Sequence, residues 1–374
     1  MSIIRPIPED QLLFLRMRAQ GLWPRYSTSV AGVAKNVCGI QAQDVAASRL
    51  AVHVRSVGLS ADDVACAVRA RDVVRTWCMR GTLHLVAAED LPWVVELLGP
   101  GVIAASRRRY EQLGLDVQTL ARGGQVIAEA LADVQELTRQ ELAAHLARAG
   151  ISVEGQALYG LIRHIALEGA ICAGPERDGK PTYVPVPRNA ARPPSLSKES
   201  AMDELARRYL AAYDPARLDD FVAWSGLKKG EARAAWTRIT DETMEVRIAD
   251  QPARMLETRA SWLEEAPEED RTVVHLLPSY DTYLIGYRGR ELVIAPRYAK
   301  RLHPGGGFLR PALLVNGRVL GTWRSKPQPN GLQIMVEPFC RLAGEVRSGI
   351  ETQVEHLGRF LDTNAELVLS PPSI

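Results

Sequence analysis

The chain has 374 residues, of which 46% are hydrophobic and 24% are charged, and its formal net charge is +2. This composition is typical of a globular protein with more than one hydrophobic core. The apolar runs are too short for a membrane span, and residues 1–11 lack a secretory pattern, so we predict a cytoplasmic protein without membrane contact. The five cysteines form no CxxC pair and the seven histidines show no ligand spacing. We therefore expect neither disulfides, nor a metal site, nor a cofactor.

Three stretches of the chain show the same predicted order, short helices followed by a β-hairpin, which is typical of winged helices. The first, residues 1–120, has predicted helices at 9–21, 29–38, 45–57 and 62–69 and a hairpin within 73–86. The second, residues 121–190, has helices at 125–132, 138–149 and 155–168 and a wing at 171–186. The third, residues 195–262, has helices at 199–213, 218–225 and 228–239 and strands at 244–248 and 254–257.

The last part of the chain, residues 270–374, shows a different pattern. Strands are predicted at 272–277, 283–287, 313–323 and 332–336, and a closing helix at 343–361. Asn316-Gly317 is a strong hairpin turn signal. The sequence therefore predicts an α+β protein with a small β-rich domain at its C-terminal end.

The most informative local feature is the tripeptide Gln41-Ala42-Gln43, which lies between two predicted helices. In an extended segment, residues two apart point to the same side, so both amides can converge on one small ligand such as water. An amide accepts and donates hydrogen bonds but has no useful pKa, so the pair can orient a water molecule without deprotonating it. A site of this kind suits a reaction whose leaving group is already good. The following residue, Asp44, either caps the next helix or helps to polarise the water.

Charge is distributed unevenly along the chain. Residues 286–326 contain nine basic residues and one acidic residue, whereas residues 241–270 contain ten acidic and three basic residues. A basic cluster of this kind can bind phosphate. Within it, Arg318 lies beside the predicted turn, and Arg297, Lys300 and Arg301 are candidates to follow a DNA backbone.

Four separate blocks of the sequence stand out: Gly39-Ile-Gln-Ala-Gln-Asp44, Arg75-Thr-Trp-Cys-Met-Arg-Gly-Thr-Leu-His-Leu-Val86, Leu277-Pro-Ser-Tyr-Asp-Thr-Tyr-Leu-Ile-Gly-Tyr287 and Gly317-Arg-Val-Leu-Gly-Thr-Trp-Arg324. Through these blocks the chain resembles the AlkZ-like family of bacterial winged-helix DNA glycosylases. The resemblance implies tandem winged-helix units that form a concave DNA-binding cleft, joined to a C-terminal β-domain. It also implies that Gln41 and Gln43 are the catalytic residues of a Q-x-Q motif. Because Gln43 stands where some relatives carry Asp, the resemblance favours the branch associated with self-resistance to DNA-alkylating natural products.

The resemblance implies a monofunctional DNA glycosylase that removes N7-alkylated purines from double-stranded DNA, including bulky or crosslinked ones. An N7-alkylated purine is cationic and departs as a neutral base, so little acid catalysis is needed. The oxocarbenium-like sugar that remains must be attacked by water, which the two amide oxygens can orient. The only lysine near the motif is Lys35, so we expect hydrolysis and no Schiff-base chemistry. We expect the protein to act as a monomer.

The helix after the motif carries Arg49, His53 and Ser56 on one helical face. One interpretation is that this face contacts DNA, and the other is that it is a solvated polar face. Residues Arg80, Thr82 and His84 are more typical of hairpin partners than of phosphate ligands, and Trp77 and Trp323 of core anchors.

Two other functions are compatible with repeated winged helices: a DNA-binding regulator without catalytic activity, and a scaffold that sequesters a drug. Against the regulator, no single helix is rich in the Arg, Asn and Gln residues that read base edges. Cleavage at an N7-alkylated purine separates the enzyme from both alternatives.

Overall fold

The computed structural model describes residues 6–152, 154–186, 196–265 and 272–372. The chain divides into two compact units. The discontinuous unit consists of Met1–Val64 and Asp203–Ile374, and the inserted unit consists of Ala65–Met202. This division is coarser than the one predicted from the sequence, and the assignment of winged helices to 1–120, 121–190 and 195–262, followed by a β-domain at 270–374, stays a prediction.

The described residues form both helices and strands, the strands lying in several sheets, which confirms the α+β class. The helices are α1 (Glu9–Ala19), α2 (Val30–Asn36), α3 (Val45–His53), α4 (Ala61–Ala70), α5 (Leu91–Gln112), α6 (Val117–Val134), α7 (Arg139–Arg148), α8 (Ala157–Leu167), α9 (Lys198–Tyr213), α10 (Leu218–Ser225), α11 (Lys229–Arg238), α12 (Thr282–Ile285), α13 (Ala299–Leu302) and α14 (Gly344–Phe360). The strands are β1 (Pro6–Ile7), β2 (Ile40–Gln41), β3 (Val73–Trp77), β4 (Leu83–Ala87), β5 (Leu137–Thr138), β6 (Ile171–Ala173), β7 (Thr182–Pro185), β8 (Thr243–Ile248), β9 (Gln251–Leu256), β10 (Val274–Leu277), β11 (Ala312–Val315), β12 (Arg318–Gln328), β13 (Gly331–Pro338) and β14 (Ala365–Leu369). Among the described residues, none of these helices has the length and apolarity needed to cross a bilayer.

The discontinuous unit is built around a five-stranded sheet in the order β10-β11-β12-β13-β14. The first four strands are antiparallel neighbours, and β14 runs parallel to β13. Helix α14 covers one face of this sheet, because its residues Val346, Ile350 and Val354 share a buried core with the strands. The helix approaches β10 so closely that a Cβ atom on Gly349 would lie 2.6 Å from the Val274 side chain.

A smaller sheet in the same unit has the order β1-β8-β9, in which β1 is parallel to β8 and β8 is antiparallel to β9. Helix α1 lies between two cores. Leu12 and Leu15 pack with the small sheet, whereas Leu13 and Met17 pack with residues of the C-terminal segment such as Tyr283. The N-terminal segment and the C-terminal half of the chain are thus packed into one body.

The inserted unit has its own hydrophobic core, to which helices α5 to α8 contribute. Its strands lie side by side in the order β4-β3-β6-β7-β5. The hairpin of β3 and β4 pairs Val73 with Ala87 and Trp77 with Leu83. Helix α7 begins with the capping box that the sequence predicts, formed by Thr138 and Glu141. Several elements of this unit therefore follow directly from local sequence signals.

Two sequence-based expectations were wrong or incomplete. Residues 283–287 do not form a strand, because the Asp281 side chain accepts a hydrogen bond from the Tyr283 backbone at 2.9 Å and starts the short helix α12. Helix α5, of 22 residues, was not expected, since Pro100 and its flanking glycines interrupt the helical pattern. Gly99 is required there, because a Cβ atom would lie 2.1 Å from the backbone oxygen of Leu167 in α8.

Candidate active site

The Q-x-Q motif lies on a short extended segment between α2 and α3. Cys38 and Gly39 both have positive φ angles, 54° and 97°, and reverse the chain after α2. In the extended segment that follows, Ala42 is fully buried, while Gln41 and Gln43 point to the other side. Gln41 is 8% exposed and Gln43 is exposed, so the pair joins a buried position to the solvent-accessible surface.

The two amides are in direct contact. Gln41 Nε2 donates a hydrogen bond to Gln43 Oε1 at a distance of 2.8 Å. This bond uses one of the two N–H groups of Gln41 and one lone pair of Gln43 Oε1. It holds both side chains in one place and leaves the second lone pair of Gln43 Oε1 and the carbonyl oxygen of Gln41 outside the bond. The pair can therefore present acceptor oxygens to a water molecule at a fixed position.

Asp44 caps helix α3, as the first of its two interpretations expects. Its Oδ1 accepts a hydrogen bond from the backbone N–H of Ala47 at 3.0 Å, and the residue has an extended backbone conformation. A carboxylate at this position satisfies one of the free N–H groups at the helix start and interacts favourably with the helix dipole. The cap fixes where α3 begins relative to Gln43.

The three polar residues predicted for one face of α3 do not share an exposed surface. Arg49 is half-buried, whereas His53 and Ser56 are buried. The ring centroid of His53 lies 4.7 Å from that of Phe360 on α14. Burial, followed by the charges of Arg25 and His356, lowers the pKa of His53 to about 3. His53 is therefore neutral at pH 7 and brings no charge to a phosphate.

The C-terminal basic residues fall into two groups. Arg297, Lys300 and Arg301 lie within one short helical segment. Arg297 and Lys300 are exposed, and the guanidiniums of Arg297 and Arg301 lie over the rings of Tyr298 and Phe339 at 4.8 Å and 4.4 Å.

Arg318 is engaged within the protein. Its guanidinium forms ion pairs with Glu9 and Asp10 of α1 at 3.1 Å and 3.2 Å and donates to the backbone oxygen of Leu292. Arg318 is therefore held by acidic and backbone partners, whereas Arg297 and Arg301 lie over aromatic rings.

His84 and Trp77, in the β3–β4 hairpin, make contacts within the protein. His84 is buried, its Nδ1 lies 3.0 Å from the Thr82 backbone oxygen, and burial lowers its pKa to about 3. Trp77 packs edge-on against Tyr159. In the discontinuous unit, Trp323 is buried and donates from Nε1 to the Leu277 backbone oxygen at 2.7 Å. These contacts confirm the interpretation of both tryptophans as core anchors.

Sequence reasoning missed the residues that anchor the far end of α3. Arg55, two residues beyond the helix, is buried and forms an ion pair with Asp281. The available signal was the block 277–287, which was used for the resemblance but not connected with α3. Among the described residues, no group of three or more histidine, cysteine, aspartate or glutamate side chains is arranged to hold a metal ion.

Comparison with known proteins adds to this geometry. The chain matches the family described as DNA glycosylase AlkZ-like over residues 34–360. An interstrand DNA cross-link repair glycosylase from Streptomyces sahachiroi is 28% identical in an alignment of 370 residues, which covers 93% of this chain and 95% of that protein. The solved structure of Streptomyces sahachiroi DNA glycosylase AlkZ matches with a TM-score of 0.79 and 23% identity, over 98% of this chain and 100% of that one. The fold is therefore shared, and the family match, which spans most of the chain including the Q-x-Q motif, shows that this protein belongs to the AlkZ-like DNA glycosylases.

Proposed function

We propose that this glycosylase is monofunctional and hydrolyses the N-glycosidic bond of N7-alkylated purines in double-stranded DNA, with Gln41 and Gln43 as its catalytic residues. The observation that carries the proposal is the 2.8 Å hydrogen bond that fixes the two amides against each other. Neither amide titrates, so the pair suits a reaction in which the leaving group needs no protonation. A cationic N7-alkylated purine is such a leaving group.

In the proposed reaction, the C–N bond breaks with both electrons going to the purine, which leaves as a neutral base. The sugar becomes oxocarbenium-like, as in other glycoside hydrolyses. The carbonyl oxygens of Gln41 and Gln43 hold a water molecule against the anomeric carbon, and their dipoles stabilise the positive charge on the sugar. Attack by this water gives an abasic site, and its proton is released to solvent.

We further propose that residues 1–120, 121–190 and 195–262 are tandem winged-helix units that form a concave cleft for duplex DNA, followed by the β-rich domain at 270–374. An open cleft suits bulky or crosslinked purines, because a crosslinked base cannot be swung out freely from the duplex. The name of the Streptomyces sahachiroi relative, an interstrand DNA cross-link repair glycosylase, supports a lesion of this kind. Gln43 in the motif supports a role in self-resistance to a DNA-alkylating natural product, exercised by a cytoplasmic monomer.

In this proposal, Arg49, Arg297, Lys300 and Arg301 contact the phosphate backbone of the DNA. A contribution from Arg318 requires it to leave Glu9 and Asp10, and one from His53 requires it to leave its buried position beside Phe360. The three residues at 297–301 are thus the best placed for phosphate.

The test uses a duplex oligonucleotide with a single N7-methylguanine, a second duplex with an N7-linked interstrand crosslink, and an undamaged control. After incubation with the protein, heating in alkali converts abasic sites into strand breaks. Wild type should break the damaged strands at the lesion and leave the control intact. Gln41→Ala and Gln43→Ala should bind the same duplexes with unchanged affinity and produce few breaks.

If wild type binds both damaged duplexes and releases no base, the catalytic proposal is wrong and the regulator becomes the better interpretation. Breaks in the methylated duplex alone would limit the substrate to small adducts. The role in self-resistance has its own test, which is whether expression of the chain protects a sensitive bacterium against a bifunctional N7-alkylating agent. Expression of Gln41→Ala is the matched control there.

A further inference from the structure

A cavity of about 880 Å³ lies within the discontinuous unit, and neither Gln41 nor Gln43 lines it. Its walls come from residues 23–25, the end of α3 with residues 56–60, the start of β10 and one face of α14. This volume is within the range of small-molecule sites, roughly 300–1,000 Å³. We call it the Arg25 cavity, after the side chain on which the following argument rests.

The charge of the Arg25 cavity is entirely positive in the part of the chain that the structure describes. Arg25 and Arg359 line it, and none of the aspartates and glutamates that the structure describes does. Three histidines, His53, His275 and His356, also line it. Burial and the charge of Arg25 lower the pKa of each. The imidazoles are therefore neutral at pH 7, and the two guanidiniums supply the charge.

Arg25 is a half-buried cation whose partners are neutral. Its Nη2 donates to Gln353 Oε1 at 2.7 Å and lies 3.4 Å from His275 Nδ1. Since a guanidinium can only donate, this contact is a hydrogen bond only in the tautomer of His275 whose Nδ1 carries no proton. Within the described residues, Arg25 has no carboxylate partner. Burying a cation without an anion is costly, and an anionic ligand in the cavity removes that cost.

The volume of the cavity and its uncharged lining residues indicate a ligand larger than a small anion. The cavity has far more room than one phosphate group needs, and its lining includes the aromatic ring of Trp23 and the side chain of Leu59, both half-buried. A planar base stacks well on a surface of this kind, and an arginine fork matches the oxygens of a phosphate. A ligand that combines the two features is a nucleotide.

We propose that the Arg25 cavity is a second ligand site, which binds a nucleotide through its phosphate at Arg25 and Arg359 and through its base at Trp23. The phosphate comes either from a free mononucleotide or from a DNA strand whose nucleotide enters the cavity. The inference does not depend on the proposed excision chemistry, because binding is measured with undamaged ligands.

The experiment titrates the full chain with deoxyguanosine monophosphate, with unphosphorylated deoxyguanosine, and with an undamaged duplex, by calorimetry. Arg25→Gln and Arg359→Gln each remove one cation from the cavity. Arg347→Gln is the matched control, because Arg347 is an exposed residue of α14 that does not line the cavity. Arg359 is also exposed, so its variant should fold even if Arg25→Gln does not.

If the phosphate is that of a free nucleotide, the monophosphate binds wild type, and each cavity variant weakens it by about tenfold to a hundredfold, as expected for a lost charged hydrogen-bond pair. Arg347→Gln leaves the affinity unchanged, and deoxyguanosine binds at least about tenfold more weakly. If the phosphate belongs to DNA, the cavity variants weaken duplex binding instead, and the control does not.

The proposal is overturned if both cavity variants bind the monophosphate and the duplex as wild type does, or if deoxyguanosine binds as tightly as its monophosphate. Excision of N7-methylguanine is measured in parallel. Gln41→Ala should lose excision and keep nucleotide binding, so a failure of the cavity proposal and a failure of the catalytic proposal give different results.

Discussion

Arg55 and Asp281 form a two-bond ion pair in the interior of the discontinuous unit. Nη1 of Arg55 donates to Oδ2 at 2.8 Å and Nη2 donates to Oδ1 at 2.7 Å, and the two side chains are 2% and 0% exposed. Arg55 follows helix α3, and Asp281 caps helix α12 through the Tyr283 backbone. The pair therefore ties the helix behind the Q-x-Q motif to a segment more than two hundred residues away.

We predict that Asp281→Asn lowers the free energy of unfolding by about 3–5 kcal/mol, because it leaves the Arg55 guanidinium buried without a counter-charge. Urea denaturation followed by circular dichroism measures the change. The control is Glu337→Gln, which removes the carboxylate of a solvent-exposed pair with Arg324 and should cost less than about 1 kcal/mol. Equal effects of the two substitutions would contradict the assignment of Arg55 and Asp281 as the anchor of α3.

The glutamine pair should behave as one catalytic unit. We predict that Gln41→Ala and Gln43→Ala each raise the activation barrier of excision by about 2–4 kcal/mol, or roughly 30- to 1,000-fold in rate. Because each amide positions the other, the double variant should be little slower than the slower single variant. Single-turnover rates on the N7-methylguanine duplex are measured for wild type, both single variants and the double variant, which together form a double-mutant cycle. Fully additive losses would show that the two amides act independently.

Substitutions of Asp44 distinguish its role as a helix cap from a role of its charge in catalysis. We predict that Asp44→Ala lowers the free energy of unfolding by about 1 kcal/mol and that Asp44→Asn restores it, since asparagine caps a helix as well as aspartate does. If the cap is its whole role, Asp44→Asn excises N7-methylguanine at the wild-type rate. A stable Asp44→Asn protein with excision slowed tenfold or more would instead show that the charge polarises the water.

We predict that two buried histidines make the free energy of unfolding dependent on pH. Burial lowers the pKa of His53 and His84 to about 3, from an ordinary value of 6.5. Between these values the unfolded chain binds more protons than the folded chain, so stability falls as the pH falls through this window. From pH 7 to pH 5, the expected loss is about 2 kcal/mol of unfolding free energy per histidine.

His84→Gln tests this loss, because glutamine does not titrate. The difference in unfolding free energy between pH 7 and pH 5 should shrink by about 2 kcal/mol relative to wild type, whatever the variant's absolute stability. Urea denaturation at the two pH values provides the comparison. An undiminished difference would mean that His84 takes up its proton without unfolding.

The basic residues at 297–301 should contribute to DNA affinity without changing chemistry. We predict that Arg297→Gln and Lys300→Gln each lower the slope of log affinity against log salt concentration by about one, for duplexes of any sequence. Arg318→Gln should change the slope less, since Arg318 is already paired with Glu9 and Asp10. A larger effect at Arg318 than at Arg297 would show that DNA displaces those carboxylates.

Local sequence signals were sufficient for part of this structure. The convergence of Gln41 and Gln43 follows from the period of an extended segment, and the Asp44 cap from its position before α3. The short apolar run at 283–287 was misread as a strand because periodicity alone does not separate a strand from a buried helix of similar length. In α5, Pro100 and its flanking glycines hid a helix whose close packing against α8 requires Gly99.

The rest depends on contacts between residues that are far apart in sequence. Arg25 and His275 are separated by 250 positions, and Arg55 and Asp281 by 226. No local pattern reports such a pair, because each member resembles an ordinary surface cation, anion or imidazole until the chain has folded. Only the tertiary structure shows which of these charges are buried and what neutralises them.

Because one unit consists of two separate chain segments, the two units can fold only in a certain order during synthesis. The ribosome releases the N-terminal end first, and domains generally fold as units while the chain is being made. The segment Ala65–Met202 is continuous and can fold as soon as it emerges, whereas Met1–Val64 must wait for Asp203–Ile374. The nascent polypeptide thus carries Gln41 and Gln43 early, but the unit to which they belong is completed last.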